Sequence, residues 1–536
     1  MLGKKENWLF IVFIISGGVL SIFLKNGMDW DLANYHLYNP WAFLHNRTGF
    51  DIAPAMVNSF QNPFYDLYLY FLIVNFNGFP NSYYFIMGLP FGVLLWYFYK
   101  VNKLVFDEEK NAFMRTALSM MIGITGFSTI IQIGSPTNEV INAAAVMYSL
   151  YVLLSEIQNK KQNIRRFVWI GLLLGGICGL KATIVVYCAA FFVVMLFYYR
   201  YWQRPQAVLI CFCFGGLAGF LLTNGYWMWF LWQTYGNPVM PFMNKVFKSD
   251  YFDLINFRDV RFLPKTWGEW LFYPLYWVYE SLNLRRCIAE VYFFDIRFAV
   301  LEVSFGAWLA YFRRKFQLSF LTKFLMVWML IAYVFWLGMF SIIRYALVLE
   351  MLGAIFIVKA IFYFRPRSLN VFYYSVLIIL LYVFVSVRGQ SFDLGGGKSS
   401  KVIELEEVNL PDNSLLLMYN VPSAFVGPFW IKDKNIRMIG FEQYNGEMMV
   451  GSDFLERGKF RELRDQVLSE HEGELLILFR NLQSKGIYPD CEKYPFLKGM
   501  YCQEVENNLQ PGLLFLCVAP HLAQTVFKSL TGEIVK

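Results

Sequence analysis

Charged residues are scarce in this 536-residue chain: they make up 16% of it, whereas a soluble globular domain carries roughly 25%. Hydrophobic residues reach 57% of the sequence and its mean hydropathy is +0.42. Too little polar surface remains to cover a soluble body of this size. A soluble enzyme, a disordered chain and a nucleic-acid-binding domain are therefore excluded. Long apolar runs follow one another between residues 8 and 387, and they predict a polytopic membrane protein.

Motifs for metal and nucleotide binding are also missing. The eight cysteines include no CxxC pair, and no His/Cys cluster has the spacing of a zinc site. The C-terminal segment has no phosphate loop and no nucleophile elbow. Candidate functional residues must therefore be sought among the charged side chains that stand beside the apolar runs.

Charge divides the sequence into two parts. Residues 1–387 hold 31 Lys and Arg against 19 Asp and Glu, whereas residues 388–536 hold 16 against 20. We expect a transmembrane domain over 1–387 and a soluble extracytoplasmic α/β domain over 388–536. Strand-like runs at 414–419, 437–440, 474–479 and 512–518 and a helix-like stretch at 453–469 support the α/β prediction. The net charge of +8 is explained by basic loops that set topology, so no nucleic-acid partner is expected.

Apolar runs predict about eleven transmembrane helices. They cover residues 8–24, 80–99, 113–133, 139–155, 167–181, 183–200, 206–224, 297–312, 320–338, 344–363 and 370–387. With the N terminus in the cytosol, the basic clusters fall on the cytosolic side, as the positive-inside rule requires. The regions outside the cytosol are then the loops 25–79 and 225–296 and the C-terminal domain. Within the first loop, the short apolar segment 64–76 is predicted to lie at the membrane interface. We expect an integral membrane protein.

The first outer loop contains the most informative residues. Asp29 and Asp31 follow directly after the first span, then come Tyr35 and His36, and Asp51 lies further along. Carboxylates at the membrane edge can act as general bases toward an acceptor hydroxyl, and they can bind a divalent cation. The alternative is that Asp29 or Asp31 caps a helix that begins near residue 32.

Three further charged residues stand at the outer ends of spans. Lys181 and Arg344 could clamp the phosphate of a lipid, because Arg grips phosphate bidentately and Lys supplies a point charge. Both could instead snorkel to the interface without any binding role. Glu139 could accept hydrogen bonds from a sugar, or it could simply favour the helix N-terminus at which it lies.

The second outer loop is rich in aromatic residues and carries Arg258 and Arg261. Aromatic faces with interspersed Arg suit a sugar and its phosphate, although an anchoring belt at the interface has the same composition. In the C-terminal domain, Cys491 and Cys502 lie in a polar segment. We expect them to pair in an oxidising compartment, the alternative being two free thiols.

Taken together, these residues resemble the GT-C superfamily of membrane glycosyltransferases, which use polyprenyl-phosphate sugars on the extracytoplasmic face. Asp31 stands where protein O-mannosyltransferases and the bacterial aminoarabinose transferase of lipid A carry an acidic pair after their first span. Asp51 is similar to a later acid of the O-mannosyltransferase loop. Lys181 and Arg344 match a Lys after a Gly-rich span and an Arg that opens a late span. Glu139 is similar to an acid at the outer start of the fourth span.

One departure affects the choice of base. The second acid of the usual pair is replaced by Leu32, and Asp29 precedes Asp31 instead. The resemblance covers residues 8–387 and is closest to bacterial members of the superfamily whose activities are uncharacterised.

The resemblance implies an inverting transfer of a sugar from a polyprenyl-phosphate donor to a glycan or lipid-linked acceptor. Asp31 would be the general base, with Asp29 as second choice, and Lys181 and Arg344 would bind the donor phosphate. The sugar or acceptor would be bound by the remaining candidates, which are Asp51, Glu139, Tyr35, His36, Arg258 and Arg261. A divalent cation is the one cofactor that these acids suggest. The alternatives are a transporter or flippase of lipid-linked glycans, a non-catalytic assembly scaffold, and a glycan ligase or polymerase that uses a diphosphate-linked donor.

Overall fold

The computed structural model describes residues 4–26, 29–159, 162–282, 292–309, 318–363, 388–389, 400–432, 435–441, 455, 458–480, 498–509 and 513–534. The chain divides into two compact units. The first unit contains residues 1–26, 84–224 and 260–391. The second contains residues 27–83, 225–259 and 392–536, so it combines both large loops with the C-terminal segment.

Helices dominate the chain up to residue 363. In chain order they are α1 Lys4–Leu24, α2 Tyr38–Leu44, α3 Leu67–Phe76, α4 Pro80–Phe106, α5 Ala112–Ile124, α6 Phe127–Gln132, α7 Glu139–Gln158, α8 Ile164–Leu180, α9 Val185–Phe197, α10 Pro205–Tyr235, α11 Asn244–Phe247, α12 Trp267–Leu282, α13 Arg297–Ala307, α14 Phe320–Met339 and α15 Leu347–Tyr363. Short 3-10 turns lie at Met56–Phe60, Pro63–Asp66, Ala182–Ile184, Tyr199–Tyr201 and Ile343–Ala346, and Leu32–His36 is a π-helix.

Six helices in the described part of the chain are long and apolar enough to cross a membrane: α1, α4, α7, α10, α14 and a helix that runs from Ile343 to the end of α15. The protein is therefore an integral membrane protein. The predicted number of eleven spans is not confirmed, and the eleventh span, residues 370–387, lies outside the described residues. The predicted span 113–133 is interrupted, because α5 ends at Ile124 and α6 begins at Phe127.

A buried ionic network holds this interruption in place. Arg297 is paired with Asp295, and its guanidinium donates to the carbonyl oxygens of Ile122 and Thr125 at the end of α5. Glu350 accepts hydrogen bonds from the backbone N–H groups of residues 128 and 129 at 3.1 and 2.8 Å. The orphan backbone groups on both sides of the break are therefore satisfied by side chains.

Small residues allow α8 and α10 to pack closely. A Cβ atom added to Gly175 would lie 2.0 Å from the carbonyl oxygen of Gly216, a distance that no real side chain tolerates. Glycine at such a contact lets two membrane helices approach backbone to backbone. In the same helix, a Cβ on Gly176 would meet nothing closer than 3.7 Å.

The C-terminal segment forms a mixed six-stranded sheet, which confirms the predicted C-terminal α/β architecture. Two strands outside this sheet, β1 Phe293–Phe294 and β2 Arg388–Gly389, pair with each other. The sheet contains β3 Leu415–Tyr419, β4 Arg437–Gly440, β5 Leu475–Arg480, β6 Tyr501–Glu504, β7 Leu514–Val518 and β8 Glu533–Ile534, in the order β4-β3-β5-β7-β6-β8. Strand β3 is parallel to β4 and β5, and the remaining pairs are antiparallel. The helices of the C-terminal segment are α16 Gly427–Trp430, α17 Gly458–Glu470 and α18 Ala523–Val526, and 3-10 turns lie at Ala424–Val426 and Pro520–Leu522.

The predicted pairing of Cys491 with Cys502 is wrong. Cys502 is bonded to Cys517, which lies directly opposite on the neighbouring antiparallel strand, with a Cα–Cα distance of 4.0 Å. The register of β6 against β7 therefore decides the partner. Cys491 lies outside the described residues.

The first loop also contributes to this unit. Ile52 forms a parallel bridge with Ile439 of the edge strand β4, through hydrogen bonds of 3.0 and 2.7 Å. Apolar side chains of the loop, including Met56 and Phe60, share one core with Leu417 and Ile477 of the sheet. The edge of the sheet at β4 is thus covered by chain that precedes it by nearly 400 residues.

Candidate functional site

A small cleft in the first unit gathers three of the charged residues predicted from the sequence. It is lined by residues of α7, the 182–184 turn, α9, the 343–346 turn and the start of α15. Glu139 and Arg344 belong to its lining, and Lys181 Nζ lies 2.6 Å from Glu139 Oε1. The ring of Tyr345 lies beside both cations, 5.9 Å from Lys181 Nζ and 5.3 Å from the central guanidinium carbon of Arg344. This is the largest convergence of predicted site residues in the described part of the unit.

Lys181 owes its position to the end of α8. Its backbone N–H still donates to Ile177, but its own φ of −143° and ψ of 109° are extended, so the helix stops there. A 3-10 turn over Ala182–Ile184 then leads into α9. The side chain is 15% exposed and also donates to the carbonyl oxygen of Thr137 at 2.5 Å. The ammonium group is therefore held by one carboxylate and one carbonyl group.

Arg344 lies on a turn whose carbonyl groups are fixed by side chains from other helices. The Trp336 indole donates to the carbonyl oxygen of Ile342 at 2.8 Å, and the Tyr187 hydroxyl donates to that of Tyr345 at 2.6 Å. The Ser128 hydroxyl reaches the carbonyl oxygen of Arg344 itself at 3.4 Å. These three donors stabilise a non-α conformation between α14 and α15, and the half-buried guanidinium is presented to the cleft.

Glu139 begins α7, directly after Asn138, which has a left-handed φ of 67°. A carboxylate in the first turn is favoured by the helix dipole, as one of the two sequence hypotheses proposed. Its side chain is only 4% exposed and pairs with Lys181. In this structure the partner of the Glu139 carboxylate is the Lys181 ammonium group. Binding of a sugar by Glu139 stays a prediction.

The cleft has the chemistry of an anion site of limited size. Two cations and one carboxylate leave one net positive charge, and Thr183 contributes a buried hydroxyl with no hydrogen-bond partner among the described residues. The polar groups lie at the ends of apolar helices. An anionic group carried by a lipid is the ligand class that fits both properties.

The first loop forms a second group of candidates, in the second unit. Asp29 Oδ1 accepts a hydrogen bond from the backbone N–H of Leu32 at 2.8 Å, where the π-helix Leu32–His36 begins, and this is the kind of bond that the capping alternative proposed. The residue directly before the π-helix is Asp31, whose side chain makes no capping hydrogen bond. Asp31 is 9% exposed and Tyr35 is 5% exposed. Short π-helical segments occur often at functional sites. This part of the first loop is therefore structured, and Asp29 and Asp31 lie at the start of its helix.

A His–Asp pair in this loop was not predicted. His36 Nδ1 lies 2.8 Å from Asp66 Oδ2, and both side chains are almost fully buried. The His36 ring also packs beside Tyr35 in a tilted arrangement, with ring centroids 4.2 Å apart. Asp66 ends the Pro63–Asp66 turn, inside the segment that the sequence presents as apolar and interfacial. Asp66 is the one charged residue in that apolar segment, and this is the sequence signal that could have identified it.

Asp51 has a bonding pattern that favours a structural role. Its two oxygens accept hydrogen bonds from Arg47 at 2.7 and 2.9 Å, from the Tyr38 hydroxyl at 2.9 Å and from the Met438 backbone at 2.8 Å. Four donors fill the acceptor capacity of a carboxylate. Burial raises the pKa of Asp51, whereas the Arg47 guanidinium acts in the opposite direction. Burial and the Asp51 charge raise the pKa of Tyr38, which keeps its hydroxyl protonated as a donor.

The two arginines of the second loop belong to different compact units. Arg258 is exposed in the second unit, and Arg261 lies over the Phe262 ring at 5.0 Å in the first. Their proposed binding of sugar or acceptor stays a prediction. In the described ranges, no three His, Cys, Asp or Glu side chains converge as metal ligands.

No family model matches the chain, and neither does any curated protein. Among solved structures, the chain is similar to the crystal structure of ArnT from Cupriavidus metallidurans bound to undecaprenyl phosphate, with 13% sequence identity and a TM-score of 0.43. The match covers 69% of this chain and 63% of that chain, which is less than two thirds of its length. It is a likeness of fold, and it assigns no role to any residue of this chain.

Proposed function

We propose that the protein is a glycosyltransferase that moves a sugar from a polyprenyl-phosphate donor to a glycan or lipid-linked acceptor. The reaction would take place on the extracytoplasmic face of a bacterial inner membrane, with the N terminus in the cytosol and the C-terminal domain outside. The observation that carries the proposal is the cleft in which Lys181 and Arg344 meet beside Tyr345, at the ends of apolar helices.

The donor phosphate is the ligand proposed for this cleft. Its prenyl chain would remain among the apolar helices while the phosphate contacts the guanidinium of Arg344 and the ammonium group of Lys181. Lys181 is already paired with Glu139 at 2.6 Å. A phosphate would therefore compete with the Glu139 carboxylate for the same ammonium group. The two cations would then offset the charge that develops on the leaving phosphate, which is electrostatic stabilisation of the transition state.

The transfer step involves one proton and one glycosidic bond. The acceptor hydroxyl oxygen attacks the anomeric carbon, and Asp31 accepts the hydroxyl proton. The bond between the anomeric carbon and the donor phosphate oxygen breaks, and polyprenyl phosphate leaves with the bonding electron pair. Attack from the face opposite the leaving group inverts the anomeric configuration. Asp29 is the second candidate for the base, although its Oδ1 already accepts a hydrogen bond from the backbone N–H of Leu32.

Donor consumption by the purified full-length protein tests this function. Polyprenyl-phosphate sugars would be supplied with native membrane glycans as acceptors, and Asp31→Asn would be compared with Asp250→Asn, which alters an exposed carboxylate paired with Lys459. We expect donor-dependent product from the wild type and the Asp250 variant and none from Asp31→Asn. Equal product from Asp31→Asn would reject Asp31 as the base and direct attention to Asp29. Movement of donor across vesicles without any product would favour the transporter alternative.

A further inference from the structure

The helix α10 is longer than a bilayer core requires. Its 31 residues span about 46 Å at 1.5 Å per residue, whereas the hydrocarbon core is about 30 Å thick. Roughly the last ten residues therefore extend into the interfacial region when the helix starts at the opposite boundary. This end exposes Tyr226, Trp229 and Trp232, which are 52%, 56% and 61% exposed. Trp and Tyr are the residues enriched at that depth.

The chain that follows α10 is a compact loop fixed by buried amides. The fully buried side chain of Asn244 donates to the carbonyl oxygens of Ser249 and Phe252 at 2.9 and 2.7 Å. Asn237, also fully buried, donates to the carbonyl oxygen of Phe242 at 2.9 Å. The Ser249 hydroxyl donates to the carbonyl oxygen of Tyr235 at 2.5 Å, which attaches the loop to the last residue of α10. The loop therefore presents its outer side chains in a defined arrangement.

Those outer side chains are mostly large and apolar. Exposed fractions are 44% for Phe242, 50% for Met243, 61% for Val246 and 39% for Phe247. Lys245 and Lys248 lie between and beside them and are exposed as well. Contiguous apolar side chains held on a fixed scaffold are unfavourable in water and mark a surface that another phase or molecule covers.

We propose that the surface formed by residues 242–248 inserts into the interfacial region of the bilayer, where Lys245 and Lys248 contact the phosphates of anionic lipids. Continuity with α10 favours a lipid occupant, because the loop is bonded to the end of a helix that reaches this depth. The composition favours it too, since apolar side chains with flanking lysines match the acyl boundary and the anionic headgroups above it.

Photo-crosslinking in vesicles tests the proposal on the full-length protein. A photoreactive phenylalanine derivative would replace Val246, and in a control protein Leu530 of the C-terminal segment, which is 50% exposed. We expect lipid adducts at position 246 and none at position 530. A third protein with the derivative at Phe247 repeats the measurement, and only variants with the unfolding temperature of the parent are compared.

The lipid composition and the lysines give the second part of the test. Adducts at position 246 should be more abundant in vesicles of phosphatidylcholine with phosphatidylglycerol than in phosphatidylcholine alone. Removing Lys245 and Lys248 with K245Q and K248Q should reduce this preference by about five-fold for each lysine. Equal adducts at 246 and 530, absence of lipid adducts at 246 and 247, or adducts only between two protein chains would each overturn the proposal.

Discussion

The ammonium group of Lys181 lies 2.6 Å from a carboxylate oxygen of Glu139, although the two residues are 42 positions apart in the sequence. Replacing Lys181 by Met leaves the 4% exposed Glu139 carboxylate without its cation. We expect Lys181→Met to lower the free energy of unfolding by about 2–4 kcal/mol, because an uncompensated buried charge is unfavourable. Unfolding in detergent measures this change.

The double variant Lys181→Met with Glu139→Gln should recover most of that loss, because it removes both charges together. The free energies of unfolding of Lys181→Met, Glu139→Gln and the double variant together give the coupling free energy between the two residues. Additive losses would show that the ion pair does not contribute to stability.

Arg344 should be needed for binding of the donor phosphate. Arg344→Gln removes charge-assisted hydrogen bonds, so we expect the affinity for polyprenyl phosphate to fall roughly ten- to hundred-fold. Arg344→Lys should lose less, since it keeps the charge but not the bidentate geometry. Equilibrium binding of the lipid to purified protein is the measurement. Arg204→Gln, which removes an exposed cation just before α10, is the matched control, and equal losses in both variants would contradict a specific site.

Asp51 should be required for folding of the second unit. Asp51→Asn places an amide beside the Arg47 guanidinium, whose side chain is only 10% exposed. We expect a loss of about 3 kcal/mol or more, because it breaks a buried bidentate ion pair. Tyr38→Phe removes a single hydrogen bond and should lose about 1 kcal/mol. Thermal unfolding distinguishes the two, and an Asp51→Asn protein of normal stability but without transferase activity would instead favour the predicted role in ligand binding.

The contact between α8 and α10 should not accept a methyl group at Gly175. Gly175→Ala places its Cβ against the carbonyl oxygen of Gly216, so we expect a loss of about 1–3 kcal/mol from overpacking. Gly176→Ala is the matched control, since its Cβ has space and alanine is the better helix former. Unfolding temperatures of the two variants check this. A Gly176→Ala protein as unstable as Gly175→Ala would refute the packing argument.

The disulfide between Cys502 and Cys517 should be detected by peptide mapping without reduction. It closes a loop with a sequence separation of 15, for which the expected stabilisation is about 3 kcal/mol. The double variant C502A/C517A should therefore unfold at a lower temperature, whereas C491A should not change it. A peptide that links Cys491 to Cys502 would contradict this pairing.

The sequence predicts well what depends on local pattern. Apolar runs located most of the helices, and strand-like runs located β3, β4, β5 and β7. Glu139, Lys181 and Arg344 were identified individually, because each charge stands next to an apolar run. Their meeting beside one tyrosine depends on how the helices pack, which no local pattern contains.

Pairings between distant segments were the main omissions. Cys517 was overlooked because its pairing depends on the register of two strands, while Cys491 is the cysteine nearer to Cys502 in the sequence. Asp66 was overlooked because its partner, His36, is 30 residues earlier, and the helix α2 and a 3-10 turn lie between them in the chain. The interruption of the third predicted span was hidden because residues on both sides of it are apolar, and the network that stabilises it comes from residues 295–350.

The bridge between Ile52 and Ile439 bears on the order in which the protein matures. Asp51 and Ile52 find their backbone partners at residues 438–440, near the end of the chain. During synthesis the first loop is made early, and nearly 400 further residues must be added before these bonds can form. A chain truncated before β4 would therefore lack these hydrogen bonds at the first loop as well as the C-terminal domain. Both defects would make it a substrate for proteases that degrade misfolded proteins.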